Sequence, residues 1–157
     1  MPAPITLWLE TSHHAAFRVG GWAFVRREPD GTLSGQAGGE RRTGAERIAL
    51  AGLIAALKGL DGTSPVRLVT ASPLVASIPA RIAAAQSGED PPQEDLDLWA
   101  QAMTTLAKTH AEIVAAKTPD RTTTFAAAWA ELGRDRGKDK GAFASPIPKP
   151  NLAKSGA

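Results

Sequence analysis

Apolar and polar residues alternate almost from the start of the chain. Ile5, Leu7 and Leu9 are interleaved with Thr6, Trp8 and Glu10, the period of two that predicts a β-strand. A loop from Thr11 to Val19 leads to Gly20-Gly21 and a second strand, Trp22–Val25. Pro29-Asp30-Gly31 is turn chemistry, Pro presetting φ and Gly accepting a positive one, so Thr32–Gln36 returns as a third strand. Thr43 followed by Glu46 matches a capping box and opens a helix to about Lys58, with Leu50, Leu53, Ile54 and Leu57 on one face. Asp61-Gly62 turns the chain into a fourth strand, Val66–Thr70. Ser72-Pro73 reads as an N-cap with Pro at the first helical position, and Pro79 should break or restart that helix before Ala85.

After a loop from Gln86 to Gln93, Asp95 caps a helix over Leu96 to about Lys108, with Leu96, Trp99, Met103 and Leu106 on one face. Ile113–Ala116 is the fifth strand and Thr118-Pro119-Asp120 a turn. Thr122 or Thr123 caps a last helix that Gly133 stops near Leu132. Residues 133–157 carry Gly, Pro, Lys and Ser with almost no apolar period, which predicts a disordered tail behind a domain of residues 1–132. Trp8, Trp22, Trp99 and Trp129 all lie in periodic segments and are expected in the core. The pattern is that of an α/β domain with a five-stranded mixed sheet flanked by helices.

Composition narrows the chemistry. With 157 residues, 43% of them hydrophobic and 22% charged, the chain has the size and balance of one folded domain. No apolar run reaches eighteen residues and the N-terminus has no export-signal pattern, so the expectation is a cytoplasmic protein with no membrane partner. The absence of cysteine removes disulfides, thiolate nucleophiles and sulfur-ligated zinc. From Gly133 onward six basic and two acidic residues give +4, which leaves −2 on residues 1–132 out of a net +2. The predicted body is therefore not a basic coat for nucleic acid, and any grip on phosphates rests on local patches or on the tail.

The order of elements and several local stretches together resemble the ribonuclease H family, over about residues 5–132. Ile5–Glu10 resembles the family's first strand, which ends in its first catalytic carboxylate. Gly20-Gly21-Trp22-Ala23 resembles the Gly-Gly-aromatic-small opening of the second strand. Arg47-Ile48-Ala49-Leu50, continuing to Leu57, is similar to the first helix with its Met-Glu-Leu signature. Leu68–Ser72 resembles the strand that ends Thr-Asp-Ser, and Asp97-Leu98-Trp99 the Val-Asp-Leu-Trp stretch of bacterial members. The resemblance implies cleavage of RNA in RNA–DNA hybrids by two Mg²⁺ ions on four carboxylates.

Carried over residue by residue, that machinery is largely missing. The first acid falls at Glu10, the second at Ala49, the third at Ala71 and the fourth at about Ala127. The flexible-loop His falls near Pro119, and the Asn pair that reads the hybrid's minor groove falls at Ala45-Glu46. The family's basic protrusion is replaced by Ala83–Gln93, which carries Glu89 and Asp90. Mg²⁺ takes oxygen ligands in a tight octahedron, so one acid and three alanines imply a pseudoenzyme needing no metal or cofactor.

Three readings follow. In the first, the domain binds nucleic acid, weakly and without sequence preference, through Arg41, Arg42, Arg47, Arg134 and Arg136, or acts as a scaffold. In the second, a weak Mg²⁺-dependent nuclease has moved its ligands to Glu10, Glu46 and Glu131, the latter two one helical turn from the lost positions. In the third, the sheet edge or the tail, including the Pro146–Pro150 run, meets a protein partner without nucleic acid. Arg26-Arg27 could extend the arginines into a strip on one side of the sheet, and His13-His14 would need His110 to complete a metal site.

Overall fold

The computed structural model describes residues 3–157. The strands are β1 (Ile5–His14), β2 (Val19–Arg27), β3 (Leu33–Arg41), β4 (Val66–Thr70), β5 (Glu112–Ala115) and β6 (Phe143–Pro146). The helices are α1 (Ala45–Leu57), α2 (Pro73–Gln86), α3 (Leu96–Thr109), α4 (Arg121–Lys140) and α5 (Lys149–Leu152). The strands form one mixed sheet in the order β5-β4-β1-β2-β3-β6. β1 and β4 are a parallel central pair, with Ile5 opposite Val66 and Leu7 opposite Leu68, and β5 runs parallel to β4. β2, β3 and β6 continue antiparallel from β1.

The period of two in β1 sends its residues to two layers. Leu7 and Leu9 join Trp22, Phe24, Leu50, Leu53, Leu57 and Leu68 in the larger core, which α1, α2 and α3 cover. Trp8 faces the other side, where Ala23, Val25, Ala37 and Ala130 form a second cluster under α4. The expected Thr11–Val19 loop shrinks to Ala15–Arg18, because alternation and pairing persist to His14 opposite Val19.

Three caps differ from expectation. Gly44, not Thr43, is the N-cap of α1, and it makes no side-chain cap bond. Glu46 therefore closes no capping box and instead pairs with Arg81 of α2. Asp95 stands at the N-cap of α3 but its carboxylate is turned to Arg47. α4 is capped by Asp120, which accepts from the Thr123 N–H at 2.8 Å while the Thr123 hydroxyl accepts from the Asp120 N–H. Ser72 caps α2 as expected, but Pro79 lies inside the helix without breaking it. Pro79 is exposed, while Val75 and Ile78 are anchored in the core and hold the two halves in line.

The largest departure is at the C-terminus. Residues 133–157, expected to be a disordered basic tail, carry the last two turns of α4, then β6 and α5. β6 adds a sixth strand on the outer edge of β3, with Gln36 opposite Pro146 and Gly39 opposite Phe143. Ile147 and Leu152 are buried in the second cluster, each burial being worth about 1.5–3 kcal/mol. Gly133 does not stop α4; it lets the helix touch the sheet. A Cβ on Gly133 would lie 2.3 Å from the Gly38 carbonyl oxygen, and one on Gly39 would lie 2.1 Å from the Gly133 carbonyl oxygen.

This contact predicts that Gly39→Ala lowers the urea-unfolding free energy by about 2 kcal/mol, because the helix must lift off the strand. Gly44→Ala, whose Cβ meets nothing within 4 Å, should stay within about 0.5 kcal/mol of the parent. Equal effects of the two substitutions would count against the close-contact account.

Candidate functional site

The parallel β1–β4 pairing sets the C-terminal end of β4 beside the middle of β1, and Glu10 sits there on the α4 face. It is 5% exposed. Its Oε2 accepts a hydrogen bond from the Ala71 N–H at 2.7 Å. Burial pushes the Glu10 carboxyl up to about 7; the Ala71 N–H and the Thr70 hydroxyl act against that rise, and the negative Asp120 adds to it. Thr70 is itself buried, its hydroxyl oxygen accepting from the Ser72 N–H at 3.0 Å. Glu10 is thus a buried carboxyl tied to the end of β4, and Asp120 is the acid within electrostatic reach of it.

The other positions of the family's machinery hold no oxygen ligands. Ala49 is buried in the larger core, Ala71 offers Glu10 only its backbone N–H, and Ala127 is half-buried on α4. Glu46 is engaged by Arg81 and Glu131 is exposed on α4, so Glu10, Glu46 and Glu131 do not converge. Among the described residues, no group of three or more His, Asp or Glu side chains could hold a metal ion. Two Mg²⁺ ions need several carboxylate oxygens between them. One buried carboxyl and a helix-capping Asp120 do not fit that requirement.

Sequence reading missed Asp120 as a neighbour of Glu10. The signal was present as Asp-x-x-Thr before the last helix, but Thr122 and Thr123 compete for the same cap. The histidines separate as adjacent strand residues do. His13 donates from Nε2 to the Thr43 carbonyl at 2.8 Å, while His14 stacks on Phe17 on the other face. His110 caps the C-terminus of α3 and joins neither.

The arginines do not form the single strip that their spacing allowed. Arg26 pairs with Glu28, and Arg27 lies over the Trp8 ring. Both are at the end of β2 that faces Thr6 and Leu7, away from Arg41 opposite Val19. Arg47 is held by Asp95 at 3.1 Å and Glu40 at 3.5 Å; the Asp95 bond chiefly raises its pKa, with Glu40 contributing. Its charge is therefore already matched within the fold.

A compact basic end forms instead around the β1–β2 turn. The Arg18 carbonyl accepts from the Thr43 N–H, which places Arg18 beside Arg41 and Arg42. α4 brings Arg134, whose guanidinium donates to the Ser12 hydroxyl at 2.9 Å and pairs with Asp135 at 3.1 Å, and Lys138, whose ammonium lies 4.6 Å from the Phe17 ring centroid. Arg136 and Lys140 are exposed on the same two turns of α4. Phe17 is 62% exposed and stacks on His14 with ring centroids 4.8 Å apart. Phe17 and Arg18 escaped the sequence reading, and Lys138 was counted only as part of a loose tail, because only the helix running on past Gly133 joins them.

The sheet order and the helices on both faces are those of the ribonuclease H-like fold, and solved structures agree. LC9-RNase H1, a type 1 RNase H with the type 2 active-site motif, superposes with a TM-score of 0.72 at 18% identity, over 98% of this chain and 81% of that one. An N-terminal RNase H domain from Mycobacterium tuberculosis gives 0.60 at 19% identity, over 85% and 95%. The foamy viral protease–reverse transcriptase, solved with an RNA/DNA hybrid, gives 0.64 at 18% identity, over 85% of this chain and 20% of that one. No protein-family model matches the sequence, and no curated protein matches it. The likeness at this identity is one of fold. No helix among the described residues is long and apolar enough to cross a membrane.

The raised pKa of Glu10 sets a pH dependence. The folded state holds the Glu10 proton up to about 7, whereas the unfolded chain releases it near 4.5. Stability from this group is therefore fully present below 4.5 and is lost as the pH rises through 7. Urea midpoints of Glu10→Gln should lack that decline. A wild-type midpoint that rises across this window, with Glu10→Gln removing the rise, would reverse the assignment.

Proposed function

We propose that this chain is a nucleic-acid-binding module built on the ribonuclease H-like fold, in which two-metal hydrolysis has been lost. The observation that carries the reading is the basic end, where Arg18, Arg41, Arg42, Arg134 and Lys138 surround the exposed, stacked Phe17–His14 pair. Cations neutralise phosphates whatever the sequence, and an exposed aromatic ring can stack on any unstacked base that displaces its neighbours. Such a surface suits single-stranded or frayed nucleic acid bound without sequence preference. The loss of hydrolysis is supported by Ala49, Ala71 and Ala127, which leave Glu10 without carboxylate neighbours at those positions. At this site Glu10 ties β1 to β4 and does the work of a structural hydrogen-bond acceptor.

The expected outcomes are concrete. With Mg²⁺ or Mn²⁺ present, the purified chain leaves a labelled RNA–DNA hybrid, single-stranded RNA and single-stranded DNA uncut. Binding to single strands weakens steeply with salt, with a log–log slope near −0.7 per phosphate neutralised. Arg41→Ala and Lys138→Ala each reduce that slope by close to one phosphate contact, while Arg47→Ala leaves it unchanged. Phe17→Ala weakens single-strand binding by about 1–3 kcal/mol with the slope retained. Metal-dependent cleavage abolished by Glu10→Gln or Asp120→Asn would overturn the loss of hydrolysis. Binding indifferent to Arg41, Lys138 and Phe17 would overturn the basic end.

A further inference from the structure

The opposite side of the sheet carries a second surface of contrary charge. α2 and α3 both pack on α1, and between them lies an open cleft of about 220 Å³ lined by Ile82, Pro92, Leu96, Trp99, Ala100 and Met103. Two of these walls project well into solvent, Leu96 at 59% exposure and Met103 at 39%. The Gln86 amide spans the cleft to the Met103 sulfur at 3.4 Å. Apolar side chains left open in this way, within a cleft rather than scattered, mark a contact surface.

The rim is acidic. Glu89, Asp90, Glu94, Asp95 and Asp97 occur in and beside the α2–α3 connection, and no Lys, Arg or His occurs from residue 82 to residue 107. Arg81, at the border, is already committed to Glu46 and lies over the Trp99 ring. Asp95 is paired with Arg47, which leaves the remaining four carboxylates to set the local field. That field repels a phosphate backbone and attracts cations.

We infer that the α2–α3 cleft docks a basic amphipathic helix of a protein partner. The apolar stripe of such a helix covers Leu96, Trp99 and Met103, and lysines or arginines flanking the stripe meet Glu89, Asp90, Glu94 and Asp97. The open cleft presents Leu96, Trp99 and Met103 as apolar anchors, and helix-in-groove recognition uses anchors at i, i+3, i+4 and i+7. The surface shares no residue with the basic end, so the domain would join a nucleic acid on one face to a protein on the other.

The test uses the full chain and a synthetic helical peptide of roughly 16 residues, with Leu at i, i+3, i+4 and i+7 and Lys beside them. The Trp99 Nε1–H is buried without a hydrogen-bond partner, so its indole resonance is a local reporter in a ¹⁵N-labelled sample. Saturable shifts of the Trp99 indole and the Met103 methyl, weakening with salt, are expected. Leu96→Ser/Met103→Ser should weaken binding about tenfold or more, and Glu94→Lys/Asp97→Lys should remove its salt dependence. Both variants alter exposed positions, and their amide spectra verify the fold.

The same peptide with Glu replacing Lys should not bind. Equal binding of the two peptides, or shifts mapping outside the cleft, overturns the inference. So does an indole that moves on concentrating the protein alone, which would make a second copy the occupant, or on adding an RNA–DNA hybrid. Failure here leaves the basic-end variants untouched, so the two readings fall separately.

Discussion

α4 lies directly on the sheet backbone, and most of the functional geometry depends on that contact. Gly21 and Gly39 are partners across β2 and β3, and both turn their missing side chains toward α4. A Cβ on Gly21 would sit 2.2 Å from the Ala130 carbonyl oxygen, and one on Gly137 would sit 2.9 Å from the Glu40 nitrogen. With no side chains between them, helix and strands meet at backbone distance along Ala130, Gly133 and Gly137. That height above the sheet decides which α4 side chains reach β1. Arg134 reaches Ser12, Lys138 reaches Phe17, and at the other end Asp120 comes within range of Glu10.

The same packing gives the Glu10 site its electrostatic character. In an array of several carboxylates, bound cations hold every acid ionised. Here the carboxyl is closed in by Thr70, Ala71 and the neighbouring strands, with one further negative charge nearby and no cation paired to it. Desolvation then favours the proton. Cationic side chains gather instead around the β1–β2 turn, while acids gather at the α2–α3 connection. The two candidate surfaces are thus built from different segments of the chain.

The C-terminal segment completes the second layer rather than trailing from it. β6 covers the outer edge of β3, which would otherwise present unpaired backbone groups. Ile147 and Leu152 close the bottom of the cluster that α4 covers from above, and Arg121 ties the segment to the first turn of α4 through the Lys154 carbonyl. Arg134, Arg136, Lys138 and Lys140 therefore occupy set positions on α4 instead of sampling a loose tail.

The central strands and the first helix were legible because their signal is local. Ile5, Leu7 and Leu9, the apolar Val66–Thr70 run and the Leu50–Leu57 face each repeat at the period of one element, and burial of one face enforces that period. That Ala49, Ala71 and Ala127 carry no side-chain oxygen was legible as well, since residue types are read off one at a time. What the order of residues could not settle lay in pairs distant along the chain. Gly133 stops a helix in isolation but admits one against Gly38 and Gly39. Phe143, Ile147 and Leu152 lack any period, yet each docks on a surface already built by β3 and α4. Glu46 and Asp95 are good caps locally and were drawn away by Arg81 and Arg47. Sequence alone determined the layers and which residue types stand at each position; tertiary packing decided which charges meet, because a hydrogen bond or ion pair depends on distance in space.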